Sequence, residues 1–175
     1  MIRDFSSDDI VSGNKATNLR QLVEQKVIKE GKSIKEIRFR EIRQKPINLQ
    51  GLSLKVLSYQ TSSGLEKFIQ FVDNKNSIAA FLRLSLPAKT PPLKELKDAA
   101  IIREIHVYGQ ALDISKSAST HSQHLGLGTK LIKKAKNISK KSGFKKLLVI
   151  SAIGTKQYYR NKGFSDGKLY QHLPL

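Results

Sequence analysis

Not one cysteine occurs in these 175 residues. Thiolate ligation of an iron–sulfur cluster or of zinc is thereby excluded for the chain's own side chains, as are disulfides. Tryptophan is absent too, methionine occurs once and aromatics make up 7% of the sequence, so a core must come mainly from Leu, Ile, Val and Ala. No apolar run approaches the roughly 20 residues of a membrane-spanning helix, and no signal-peptide pattern opens the chain. A cytoplasmic protein with no membrane attachment is expected. No histidine pair has metal-ligand spacing, and no metal site is expected.

Acidic side chains are scarce, 14 against 32 Lys and Arg, for a formal net charge of +18. Residues 121–175 alone carry 12 basic side chains and a single acidic one. Such an excess is either a solvated lysine-rich face or a phosphate-binding surface. A pI near 10.1 exceeds what one phosphorylated cofactor requires, which favours RNA.

Length allows one domain with an N-terminal extension, divided into residues 1–45 and 46–175. In the extension, Asn18 or Thr17 can cap a helix that runs to about Glu30, with Leu19, Leu22, Val23 and Val27 as its apolar side and Gly31 as its stop. Residues 34–43 alternate and read as a strand ended by Pro46. Three strands follow at about 52–60, 65–73 and 77–86, joined by turns at Ser62-Ser63-Gly64 and Asp73-Asn74-Lys75-Asn76, an antiparallel meander. The segments 87–98 and 113–122 read as loops.

The C-terminal half is richer in chemistry. Ile101–Tyr108 is strand-like, and period two puts Ile102, Glu104, His106 and Tyr108 on one face. Gln123-His124-Leu125-Gly126-Leu127-Gly128 then enters a helix over 127–142, with Leu127, Leu131, Ile132, Ala135 and Ile138 on one side and lysines largely elsewhere. Two glycines at a helix start let backbone N–H groups and the helix dipole meet an anion such as a pyrophosphate. Taken alone, this pattern fits any glycine-rich helix entry. A strand at 146–150, a short helix from Gly154 to Lys162 stopped by Gly163, and a last strand from Phe164 to about His172 complete the chain.

This order of strand, glycine loop, helix, strand, tyrosine-bearing helix and strand is that of the GNAT acetyltransferase core, an α/β fold with a mixed sheet flanked by helices. Three segments narrow the resemblance: Arg103–Gly109, Gln123–Thr129 and Gly154-Thr155 with Tyr158-Tyr159-Arg160 and Gly163. They resemble the acetyltransferase domain of the catalytic subunit of Elongator, the tRNA wobble-uridine modifying enzyme. The stretch from Arg3 to Gln21 resembles the segment that, in that family, joins a radical S-adenosylmethionine domain to the acetyltransferase domain. The likeness covers nearly the whole chain but only the C-terminal part of a typical member. Family members often hold metal-binding cysteines where this chain reads Ile34 to Arg43.

The resemblance implies acetyl-coenzyme A as cofactor, held by Ile105, His106, Val107, Gln123, His124, Leu125, Gly126, Leu127, Gly128, Thr129 and Tyr159. It implies tRNA as partner, and the basic residues Lys26, Lys29, Lys35, Arg38, Arg40 and Arg43 are the candidate RNA contacts of the extension. Tyr159, ahead of the Gly163-Phe164 turn, is the expected proton donor to the departing thiolate, with Tyr158 positioning substrate or packing. Glu104 is the candidate base or orienting carboxylate, against an ion pair as the plain alternative, and His106 a candidate relay. Without cysteine these residues cannot perform the radical half of the family's reaction, so acetyl transfer needs another acceptor, an external radical S-adenosylmethionine subunit or water. Tyrosine-assisted cleavage of acetyl-coenzyme A in tRNA modification thus competes with a free-standing lysine or small-amine N-acetyltransferase, and with a non-catalytic tRNA-binding module.

Overall fold

The structure is a computed structural model. It describes residues 6–42, 49–89, 93–108 and 125–175, with only the backbone of Leu125. The chain forms two compact units that divide between Arg40 and Glu41.

In the first unit, helix α1 spans Leu19–Lys29. Asn18 stands at its N-cap without a side-chain cap bond, and the helix stops ahead of Gly31, whose φ of +64° suits glycine. Leu19, Leu22 and Val23 are exposed. The strand expected over residues 34–43 does not form. Instead the Glu36 carboxylate accepts the backbone N–H groups of Arg38 and Phe39 at 3.1 and 3.0 Å, and the Arg40 N–H returns to the Glu36 and Ile37 carbonyls. A side chain that captures nearby N–H groups competes with a sheet ladder, and here it wins. Arg20 bonds the same carboxylate at 2.6 Å.

The second unit is a seven-stranded mixed sheet of spatial order β1-β2-β3-β4-β5-β7-β6. Strands β1 (Ser53–Thr61), β2 (Gly64–Val72), β3 (Ile78–Pro87) and β4 (Ala99–Val107) form the expected antiparallel meander. Ahead of it, Glu41 makes a single bridge to Ile78. Gly64 has a φ of +146° and lies so close to the backbone of Leu86–Ala88 that no β-carbon fits. The edge strand β1 is exposed over nearly its whole length.

Helix α2 (Leu125–Lys141) lies against the sheet, and its apolar positions fall where a period of 3.6 puts them. Leu127, Leu131, Ile132 and Ala135 are buried with Leu82, Leu84, Ile102 and Leu147, and Ile138 packs at the rim. Each fully buried Leu or Ile contributes on the order of 1.5–3 kcal/mol, so this stripe, rather than intrinsic propensity, holds α2 in place.

Beyond α2, β5 (Lys146–Val149) pairs in parallel with β4, the short helix α3 (Lys156–Arg160) follows, and β6 (Ser165–Asp166) and β7 (Gln171–Pro174) close the sheet. A single last strand was expected. The chain instead reverses at Gly167, whose N–H donates to the Tyr170 carbonyl at 2.8 Å.

Candidate functional site

Leu84 pairs with Ile102 and Arg83 with Glu104, which leaves Arg103 as an extra residue in β4. This bulge corrects the period-two expectation. Ile102 joins the core beneath α2, whereas Glu104 and His106 share the other face with Arg83 and Phe81. Pairing of β4 with β5 also ends at Ile102 and Val149. From Arg103 onward β4 has no β5 partner, so Ile105 and Val107 lie beyond the parallel pairing.

The first turn of α2 lies near this end of β4, with Val107 beside Gly128. Its leading N–H groups have no intrahelical acceptors and carry the positive end of the helix dipole. Among the described residues, a β-carbon on Gly126 would meet nothing within 4 Å. At Gly128 the reverse holds: the Tyr158 hydroxyl already lies where a β-carbon would go, with Val107 Cγ2 3.7 Å from that point. The end of β4, the first turn of α2 and α3 are thus brought together. Leu127 is committed to the core, Ile105 packs against that core, Thr129 is half-buried, and His106 and Val107 are exposed. Gln123 and His124 lie outside the described residues.

The two tyrosines differ in surroundings. Tyr159 is 6% exposed, its ring edge-on to Phe164 at 5.5 Å and to Tyr158 at 5.2 Å. Burial, with the neighbouring Tyr158 hydroxyl second, pushes its pKa up to about 12. Tyr158 is 36% exposed, and Lys162 Nζ sits 5.6 Å from the centre of its ring. Burial raises its pKa as well, so both hydroxyls are proton donors at neutral pH. The Tyr158 oxygen reaches the first turn of α2 at Gly128.

Glu104 is held by Arg83 Nε at 2.9 Å, with His106 Nε2 3.5 Å from its other oxygen. The ion-pair partner is therefore Arg83, across the strand pair. His106 stacks on Phe81 at 5.0 Å. In the other unit Lys26, Lys29, Lys35 and Arg38 are exposed, and burial lowers the pKa of the half-buried Arg40. Arg43 lies outside the described residues. Among the described residues no group of three His, Asp or Glu side chains is placed to hold a metal ion, and no helix is long and apolar enough to cross a membrane.

Sequence reasoning passed over Gln171, which is buried and bonded to three other segments. The available signal was a polar residue at an inward strand position.

No protein-family model matches the chain. Individual relatives do. The tRNA uridine(34) acetyltransferase of Methanocaldococcus jannaschii is 39% identical over 172 residues, which is 93% of this chain and 32% of that protein. The chain is homologous to part of the Elongator protein 3 family. Elongator complex protein 3 of Dictyostelium discoideum is 33% identical over 96% of the chain and 31% of its own length. The solved structure of archaeal Methanocaldococcus infernus Elp3 with an N-terminal deletion superimposes with a TM-score of 0.80 at 34% identity, covering 99% of this chain and 43% of that one. The chain spans about a third of the length of the curated family members it matches. The α/β fold with a mixed sheet, expected from sequence, is thus borne out.

Proposed function

We propose that this chain binds acetyl-coenzyme A and acts as an acyltransferase in tRNA wobble-uridine modification, cleaving the thioester when tRNA is bound. The observation that carries this reading is the likeness, along nearly the whole chain, to proteins named tRNA uridine(34) acetyltransferase. Local geometry fits the cofactor. No described neighbour crowds Gly126 in the first turn of α2, whose leading N–H groups suit a pyrophosphate. Bound acetyl-coenzyme A supplies an activated acetyl group.

The chain's own residues then have separable tasks. The first-turn N–H groups of α2 bind phosphate, and Val107 and Leu127 fix where β4 and α2 meet. Tyr158, rather than the Tyr159 expected from sequence, is the general acid in this reading, because its hydroxyl lies beside Gly128. Tyr159 supports it from the core. Glu104, engaged by Arg83, orients rather than accepts a proton. Lys26, Lys29, Lys35 and Arg38, together with the lysines of α2, supply phosphate contacts for tRNA, and the radical half-reaction falls to a separate S-adenosylmethionine subunit in the cytoplasm.

The test is release of free thiol from acetyl-coenzyme A by the pure chain, with and without tRNA. Release that requires tRNA is expected. Equally fast acetylation of a lysine peptide without tRNA would instead favour the free-standing N-acetyltransferase, and tight tRNA binding with no release the non-catalytic module.

A further inference from the structure

We propose that Gln171 is a positioning residue that sets the place of the Tyr158 hydroxyl by clamping α3 onto the β6–β7 hairpin. The inference deepens the acyltransferase reading and rests on it for its kinetic part. A five-residue helix has too few internal bonds to hold itself, so its position must come from outside. Gln171 provides that hold at the N-terminal end. Its Nε2 donates to the Lys156 carbonyl at 3.2 Å and to Asp166 Oδ1 at 2.8 Å, and its Oε1 accepts from the Ser151 hydroxyl at 2.7 Å. Gln171 is 3% exposed, so these bonds have little competition from water.

Asp166 carries the hold to the other end of the helix. Its two oxygens take Arg160 Nε at 3.2 Å and Arg160 Nη2 at 2.5 Å, a forked pair that fixes the last residue of α3. One strand pair, Asp166 opposite Gln171, therefore grips both Lys156 and Arg160. Tyr158 lies midway between those grips, and its hydroxyl meets α2 at Gly128. At position 171 an apolar residue of similar size would fill the space but would strand the Ser151 hydroxyl and release Lys156.

The experiment measures thiol release, acetyl-coenzyme A affinity and amide hydrogen exchange for Gln171→Leu, Ser151→Ala, Tyr158→Phe and Gln171→Leu with Tyr158→Phe. Gln171→Leu is expected to lower turnover about tenfold with cofactor affinity within twofold, and Ser151→Ala a few fold. In the Tyr158→Phe background Gln171→Leu should add almost nothing, because it acts only through the hydroxyl already removed. A merely structural residue would give independent, multiplying losses, and that result overturns the proposal. Amide exchange over residues 156–163 should quicken about tenfold in Gln171→Leu while α2 is unchanged. Unaltered exchange there overturns the clamp even if the unsubstituted chain releases no thiol, a failure that counts against the acyltransferase reading instead. If Gln171→Leu does not fold, Ser151→Ala with the same exchange and coupling measurements decides.

Discussion

The Tyr158 hydroxyl occupies the space that a β-carbon on Gly128 would need, so a residue of α3 and the first turn of α2 are fitted to one another atom against atom. A β-carbon on Gly126, two residues earlier, would meet no described residue within 4 Å. The two glycines are therefore separable by substitution. Gly128→Ala should displace the Tyr158 ring and lower thiol release about tenfold, whereas Gly126→Ala should leave folding unchanged. Gly126→Asp should weaken acetyl-coenzyme A binding roughly a hundredfold, about 3 kcal/mol, by placing a carboxylate against phosphate. Thiol-release assays check the first and calorimetry the other two, and full affinity in a folded Gly126→Asp would remove the pyrophosphate assignment.

Tyr158→Phe is expected to lower turnover about 10²-fold with little change in cofactor affinity. Tyr159→Phe should act mainly on stability. Steady-state thiol release from both variants checks this, and a large kinetic loss confined to Tyr159→Phe would reverse the assignment.

Alkali should expose Tyr159 in another way. Its folded pKa of about 12 stands above the ordinary value of 10, so the folded state holds the proton more tightly. Below pH 10 folded and unfolded rings are both protonated and the full stability is present. As pH rises from 10 through 12 the unfolded ring ionises first, and up to about 2–3 kcal/mol is lost. Denaturant melts at pH 9 and pH 11 should show a smaller loss for Tyr159→Phe than for the unsubstituted chain.

An acid-side effect is expected at Glu95. Burial favours its neutral form, but hydrogen bonds from His172, Tyr170 and Leu169 outweigh that and hold its pKa below the usual value. His172 Nε2 is 2.7 Å from Glu95 Oε1, and the Leu169 and Tyr170 N–H groups donate at 3.1 and 3.2 Å. The stabilisation is present above the ordinary carboxylate pKa and fades as pH falls through the lowered one. Glu95→Gln should lower the melting temperature by a few degrees at pH 7 and by less at pH 3, as followed by circular dichroism.

If the extension contacts tRNA, Lys26, Lys29, Lys35 and Arg38 are the places to reverse charge, since Arg40 is half-buried and its loss would disturb the turn. Lys35→Glu with Arg38→Glu should weaken tRNA binding and flatten the slope of log affinity against log salt, by about 0.7–0.9 for each phosphate no longer neutralised. Acetyl-coenzyme A affinity should persist. Equal displacement by heparin and tRNA per unit charge, with no effect of the double variant, would retire tRNA as partner.

Much of this was legible in the chain because the strongest signals are periodic. The stripe from Leu127 to Ile138 has one amphipathic solution, and the turns at Ser62-Ser63-Gly64 and Asp73–Asn76 punctuate the meander. What escaped was local competition. Residues 34–43 alternate like a strand, yet Glu36 takes the N–H groups a ladder would need. The bulge at Arg103 leaves no mark in hydropathy, because Ile102 and Glu104 keep a spacing of two while their faces exchange. Asp166-Gly167 is a recognised turn dipeptide and could have split the last strand. The nearness of Tyr158 to Gly128 depends on how α3 docks, which no local pattern encodes.

The parallel pairing of β4 with β5 has a kinetic side. Strands β1 to β4 each bond to the strand next in sequence, whereas Ala99 must find Lys146 and Ile102 must find Val149 across an intervening helix. Loop closure makes the distant contacts the slower ones to establish. During refolding the meander can therefore stand as a platform before β5 arrives. The meeting of β4's end, the first turn of α2 and α3 is then a late product of folding, assembled only after the chain has committed to its sheet.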